Sequence, residues 1–213
     1  IILGPGESYE SPVAYAGADT EDFHAFVREE LTTWPGGTMS PRPVTLNTWE
    51  GNYFDHQMDS LKAQATAAAE LGIERFVLDD GWFGKRDDDT TSLGDWDIDP
   101  RKYPEGLKPL VDHVTGLGMQ FGIWFEPEMV NPDSDLMRAH PDWMLGPADQ
   151  VAGRNQMVLD LSRAEVRDYL FDAVSAILSG GTYFDPRVTE AALRFSVDNP
   201  AAKNLGVVEL SDR

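Results

Sequence analysis

The stretch Phe76-Val77-Leu78-Asp79-Asp80-Gly81-Trp82-Phe83 constrains this chain more than any other. Three apolar residues run into two adjacent carboxylates, then a glycine and two large aromatics. A buried strand ending in a polar site reads this way, and α/β proteins place ligand chemistry at the carboxyl ends of parallel strands. An acidic pair alone also fits a loop that opens with two solvated aspartates. Two further strand ends of the same kind favour the site. Val44-Thr45-Leu46-Asn47-Thr48-Trp49-Glu50 ends in Asn, Trp and Glu, and Met119-Gln120-Phe121-Gly122-Ile123-Trp124-Phe125 runs into Glu126-Pro127-Glu128.

Helical patterns separate these strands. Asp55 or a nearby polar residue is expected to cap a helix reaching about Leu71. Its buried stripe is Leu61, Ala65, Ala68 and, at its end, Leu71, with Gly72 as a left-handed stop. The second strand is expected over Ile73–Leu78. Gly81 to Tyr103 is long, polar and aromatic, as binding loops and lids are. A second helix begins near Pro104-Glu105-Gly106, with Leu107, Leu110, Val111, Val114 and Leu117 on one face and Gly118 ending it. Three strand–helix units in a row predict a parallel α/β architecture, a closed barrel ahead of an open sheet.

Further on, Asp133 is expected to cap a short helix stopped by Pro141. Met157–Leu161 is an apolar run, and Ser162-Arg163-Ala164-Glu165 has the form of a capping box. The helix that follows carries Val166, Tyr169, Leu170, Ala173, Val174 and Ile177 on one apolar face. Then the rhythm breaks. After Ser179-Gly180-Gly181 no apolar strand follows, and the chain continues through Thr182-Tyr183-Phe184-Asp185-Pro186 in mixed sequence to Arg213. A full (β/α)8 barrel takes about 250 residues. The fold expected is α/β, with a closed TIM-type barrel ahead of an open sheet; over 43–213 either the barrel is partial or its last part has been altered, and 1–42 lie outside it.

Charge and composition narrow the partners. The 37 acidic and 17 basic residues leave a formal charge of -20, which repels nucleic acid and anionic membranes. Eight aspartates lie between Asp79 and Asp99, against Lys85 and Arg86. A neutral or cationic ligand suits that stretch better than a phosphate ester. No twelve-residue calcium loop of the required spacing is present. The absence of Cys excludes disulfides and thiolate chemistry. With no signal peptide and no run of eighteen apolar residues, a cytoplasmic location is the default expectation.

The strand-end residues Asn47, Trp49, Glu50, Asp79, Asp80, Trp82, Trp124, Glu126 and Glu128 would converge on one face of a parallel barrel. Carboxylates beside tryptophans suit a sugar: the acids and Asn bond hydroxyls, and indole packs against the C–H face of the ring. Glycoside hydrolysis also needs two carboxylates flanking the glycosidic oxygen. Acidic clusters bind divalent ions too, but His24, His56, His113 and His140 form no ligand motif with them, so neither metal nor cofactor is expected. Arg154, in Gly153-Arg154-Asn155-Gln156, reads either as a hydroxyl clamp or as a surface ion pair.

At these residues the chain resembles the catalytic region of microbial α-galactosidases of glycoside hydrolase family 36. The matching stretches are Asn47-Thr48-Trp49-Glu50, Val77 through Arg86, Leu93-Gly94-Asp95-Trp96, Trp124 through Val130, Ala139-His140-Pro141-Asp142-Trp143 and Gly153-Arg154-Asn155-Gln156. The likeness runs from Pro43 to Leu178. Residues 1–42 resemble the exit from the family's β-sandwich domain and the linker into its barrel. The resemblance implies retaining hydrolysis of terminal α-galactosides such as raffinose-type sugars. It implies that Asp79 and Asp80 bind galactose hydroxyls, that Trp124 and Arg154 line the galactose pocket and that Trp49 sits nearby. The expected partner is an α-galactoside oligosaccharide, with a homo-oligomer left open.

The family's nucleophile is an aspartate in a Lys-Trp-Asp-Met-Asn stretch on the fourth strand, and that stretch does not occur in this sequence. Phe195-Ser196-Val197-Asp198-Asn199 resembles the acid/base region, which would make Asp198 the acid/base. The chain thus looks like a family member with an internal deletion around strand four, expected to be inactive or incomplete as it stands. The alternative is a non-catalytic galactoside-binding module, or a piece completed by another chain.

Overall fold

The computed structural model describes residues 3–10, 14–32, 41–147, 150 and 152–179. The chain divides into two compact units, 1–41 and 42–213. In the first, helix α1 (Thr20–Phe26) is capped by the Asp19 side chain, which accepts from the Asp22 amide. It continues into one π-helical turn, Val27–Leu31. Asp198 and the rest of 180–213 lie outside the described residues.

The second unit is built on three parallel strands, β1 (Thr45–Asn47), β2 (Arg75–Leu78) and β3 (Gln120–Ile123), in the order β1-β2-β3. Leu46 lies opposite Phe76, and Phe76 opposite Phe121. Alternate residues of β2 turn inward, and Phe76 and Leu78 are fully buried. Gly122 lets β3 close on its neighbour, since a Cβ there would meet Val77 Cγ2 at 3.0 Å. Arg75 ties the same two strands by donating through Nε and Nη2 to Gln120 Oε1.

Each crossover follows the expected pattern, with differences at the ends. The short helix α2 (Trp49–Asn52) follows β1 directly, so Trp49 and Glu50 stand on a helical turn rather than on the strand. Helix α3 (Met58–Glu70) buries Leu61, Ala65 and Ala68, and its alanines favour the helix independently of packing. Asp55 does not cap it. The N-cap is Gln57, whose side-chain amide donates to Asp55 instead. Leu71 is the C-cap residue and is 83% exposed, because Gly72 at φ +83 turns the chain away one residue later.

Helix α4 (Lys108–Gly116) buries Leu110, Val111 and Val114. His113 of α4 lies 3.0 Å from both Thr66 Oγ1 and the Lys62 carbonyl, so it joins α4 to α3.

Beyond β3 the pattern changes. Strands β4 (Met129–Val130) and β5 (Met157–Val158) pair antiparallel in a sheet of their own. The apolar run at Met157 therefore adds no strand to the parallel sheet. Helix α5 (Asp135–Ala139) is capped by Ser134 rather than Asp133. Asp133 is drawn off by Arg138, and the Asp95 carboxylate supports the helix start by accepting the Asp135 and Leu136 amides. His140 stacks on Trp143 at 3.9 Å between ring centres. Helix α6 (Ala164–Ser179) buries Val166, Leu170 and Ile177. The expected capping box does not form, because Ser162 Oγ donates to Asp160 at 2.6 Å and Glu165 pairs with Arg163. Among the described residues no helix is long and apolar enough to cross a membrane.

Leu61 and Leu71 separate burial from sequence hydrophobicity. Leu61→Ala is expected to lower unfolding free energy by about 2–5 kcal/mol. Leu71→Ala is expected to change it by less than about 0.5 kcal/mol in the same urea titration.

Candidate active site

The three parallel strands end level with one another, and their carboxyl ends open on a cleft of about 820 Å³. Asn47 closes β1, Asp79 and Asp80 follow β2, and Trp124, Phe125 and Glu126 follow β3. All of these line the cleft, with Trp49 and Glu50 of α2 on one side and Arg154 on another. The five residues singled out from the sequence as sugar-binding, Trp49, Asp79, Asp80, Trp124 and Arg154, are thus brought together.

The acidic pair is held from two directions. Asp79 receives the Asn47 side-chain amide on Oδ2 and the Asp80 amide on Oδ1, and its own N–H donates to Thr48 Oγ1. Asp80 is clamped by Arg86, whose Nε and Nη2 donate to its two oxygens at 2.9 and 2.7 Å. Both partners are buried, Arg86 1% and Asp80 6% exposed. The guanidinium lies over the Phe54 and Phe83 rings, 5.4 and 5.9 Å from their centres, which offsets part of its lost hydration. The fork leaves outward-facing lone pairs on Asp80 for a hydroxyl donor.

Gly81, at φ +114, makes this corner possible. A Cβ there would stand 3.2 Å from Phe54 Cα and 3.3 Å from the His56 ring. Behind it His56 is 2% exposed, with Nδ1 2.7 Å from the Tyr103 hydroxyl. Burial, helped by the nearby Lys102 charge, pushes its pKa down to about 4. Lys102 donates to the carbonyls of Phe54, Gly81 and Arg86, which closes the long segment 81–103 against the α2 side.

The aromatic wall has a core behind it. Trp124 is half-buried and lies nearly parallel to Phe83, 6.2 Å away, with Trp96 at 6.3 Å. Trp82 is not part of the cleft. It is fully buried, and its indole N–H donates to the Trp124 carbonyl at 2.9 Å. Trp49 is braced edge-on by Tyr53 and Phe54, each 5.1 Å away.

Arg154 sits at the tip of a two-residue hairpin turn. Arg154 and Asn155 take φ of 53 and 58, and the Gln156 amide donates to the Gly153 carbonyl at 2.9 Å. Glu126 shares the cleft with it. Burial holds the Glu126 carboxyl above its usual pKa; Arg154 opposes this, while Glu128 and Asp80 push the same way as burial. Among the described residues no group of three or more His, Asp or Glu side chains is placed to hold a metal ion.

A family model described as Melibiase matches residues 9–184. The chain belongs to the melibiase family. It is 52% identical to an α-galactosidase of Escherichia coli over 178 residues, covering 79% of this chain and 25% of that protein. The α-galactosidase AgaA of Geobacillus stearothermophilus is 46% identical over 84% of this chain and 26% of its own length. The crystal structure of the GH36 α-galactosidase AgaB from the same organism superposes with a TM-score of 0.62 at 55% identity, over 65% of this chain and 19% of that one. A variant of AgaA solved in complex with raffinose superposes at 0.61 with 52% identity, over 64% of this chain and 19% of that one. The chain thus spans about a quarter of the length of the curated relatives it matches.

Phe54, Arg86, Asp89 and Phe125 also line the cleft and are not among the site residues that the sequence points to. Arg86 stands in the matching stretch Val77–Arg86, and its position six residues after Asp80 carries no helix or strand period that would point it back at the carboxylate. The available signal was charge: in the acidic run Asp79–Asp99, Lys85 and Arg86 are the only cations.

Two outcomes follow from this geometry. Arg86→Ala leaves Asp80 buried without its counter-charge and is expected to cost roughly 3–5 kcal/mol of stability by denaturant unfolding. His56 stays neutral in the native state down to about pH 4, whereas the unfolded chain protonates it below 6.5. Stability contributed by this group is therefore complete above pH 6.5, falls by roughly 3 kcal/mol as pH drops from 6.5 to 4 and is flat below. Unfolding free energies of wild type and His56→Gln, subtracted at each pH, read that slope.

Proposed function

We propose that this chain carries the galactose-holding part of an α-galactosidase site and lacks the residue that attacks the sugar. What supports the reading is one observation: Trp49, Asp79, Asp80, Trp124 and Arg154, drawn from four separate segments, line one cleft at the ends of three parallel strands. In this reading the strands belong to a partial (β/α)8 barrel over 43–213, and 1–42 are the exit from a β-sandwich domain and its linker. The ligand is a terminal α-galactoside of the raffinose type. Asp79 and Asp80 accept hydrogen bonds from hydroxyls of its galactose ring, Trp124 covers an apolar ring face, and Arg154 donates hydrogen bonds to it. Charge-assisted bonds to hydroxyls discriminate strongly, since a missing or inverted hydroxyl leaves a desolvated carboxylate unpaired.

Retaining hydrolysis proceeds through a covalent glycosyl-enzyme intermediate formed on a carboxylate. The Lys-Trp-Asp-Met-Asn stretch that supplies it in the family is missing from the 213 residues, while the helix that should precede it, α6, is present. Asp198 stands as the acid/base of this reading. Without the nucleophile it has no intermediate to form or release.

The 213-residue chain is expected to bind galactose in a calorimeter, to bind glucose at least about tenfold more weakly through loss of one hydroxyl contact, and to lose affinity in Trp124→Ala. Incubated with an aryl α-galactoside, it should release no phenol at enzymatic rates. Turnover in the ordinary range of about 1–10³ s⁻¹ would overturn the catalytic half of the reading. A folded chain with no heat of galactose binding would overturn the binding half.

A further inference from the structure

Asn131 does not line the cleft and is fully buried, yet every hydrogen-bonding group it owns is engaged. Its Oδ1 accepts from Arg86 Nη1 at 2.7 Å and from the Leu93 amide at 2.9 Å. Its Nδ2 donates to the Asp89 carbonyl at 3.1 Å and to the Asn155 carbonyl at 2.7 Å. Its backbone N–H donates to the Leu93 carbonyl, and its carbonyl accepts from Ser134 Oγ. The side chain thus meets two donors on one side and two carbonyls on the other, a pattern that an amide satisfies in a single orientation. One oxygen reaches the guanidinium that clamps Asp80, and one nitrogen reaches the turn that presents Arg154.

That turn needs a tether. Two consecutive non-glycine residues in the left-handed region are strained, and such conformations persist only where surrounding contacts over-determine them. Arg154 itself is exposed. The bond from Asn131 to the Asn155 carbonyl joins the turn to the buried side of the site.

We infer that Asn131 is a positioning residue that sets the Arg86–Asp80 clamp and the Arg154 turn in one register, so that the acid pair and the arginine meet the same ligand. The inference rests on the galactose-holding reading for its ligand, but not for its structural half. Asn131→Asp separates the two arms. The carboxylate keeps both acceptor contacts, to Arg86 and to Leu93, but loses both donors and places an oxygen against the Asn155 carbonyl. The clamp survives and the turn is released.

Two measurements on the full chain test this. In hydrogen exchange, the Gln156 amide, bonded across the turn to Gly153, should exchange about tenfold faster in Asn131→Asp. The Trp124 amide, bonded to Leu78 in the sheet, should keep its protection. In calorimetry with galactose, Asn131→Asp should lose about as much affinity as Arg154→Ala, and the double variant should be no weaker than either alone. A purely structural role would slow or speed both amides together and would leave the two affinity losses multiplicative; either result overturns the inference, as does unchanged Gln156 exchange. If wild type binds no galactose, the proposed function fails, and the exchange measurement still decides whether Asn131 holds the turn. Should Asn131→Asp fail to fold, Asn131→Ser, which cannot span to the Asn155 carbonyl, provides the same exchange comparison.

Discussion

The buried pair between Asp80 and Arg86 is the interaction on which the rest of the site depends. Two charges taken out of water lose several kcal/mol each, and their attraction repays this only with good geometry and full hydrogen bonding. Here the guanidinium is used on every side: Nε and Nη2 on the carboxylate, Nη1 on the Thr91 carbonyl and on Asn131. Without Arg86, Asp80 would stand in a buried corner beside a second carboxylate, Asp79, with no counter-charge. The segment 81–103 has no helix or strand of its own, but it delivers this cation, and Lys102 then fastens the segment by three carbonyls.

The parallel sheet divides the labour by position. Residues inside the strands, such as Phe76, Leu78 and Phe121, are buried among the helices' apolar side chains. The last residue of β1, Asn47, and the residues one or two places beyond β2 and β3 are polar or aromatic and line the cleft, whereas Thr48 is buried behind Asp79. The aromatic wall is continuous with the core through Phe83 and Trp96, so Trp124 has little freedom to rotate away. The cleft's aromatic side is packed on the core, and Glu50, Glu128 and Arg154 stand at its exposed edge. The acidic corner is complete within the described residues, because Asn47, Thr48 and the Asp80 amide hold Asp79 and Arg86 holds Asp80.

Helix starts show where local pattern stops being informative. Asp55, Asp133 and Ser162 are all good capping residue types, and none acts as the expected cap. Asp55 bonds Gln57, Asp133 bonds Arg138, and Ser162 bonds Asp160. In each case a polar partner within five residues competes for the same oxygen or hydroxyl, and such local bonds rival capping in strength. The glycines that end elements follow a simpler rule. Gly72 and Gly118, both at φ +83, stand where the helix pattern ran out, since the left-handed conformation excludes most side chains.

By itself the sequence determined the three parallel strands, the two crossover helices α3 and α4 between them with their buried residues, and the acidic and aromatic strand ends. These follow from periodicity and residue type, which are local properties of the chain. The sequence also carried the family likeness and the identities of Trp49, Asp79, Asp80, Trp124 and Arg154. Tertiary structure decided that Trp82 supports the wall instead of lining it, that Met157–Val158 pairs with β4 outside the parallel sheet, and that Arg86 and Asn131 organise the cleft. Asn131 meets Arg86 across 45 residues of chain and Asn155 across 24. No period or propensity links such positions, because a hydrogen bond between them exists only once the segments that carry them have packed.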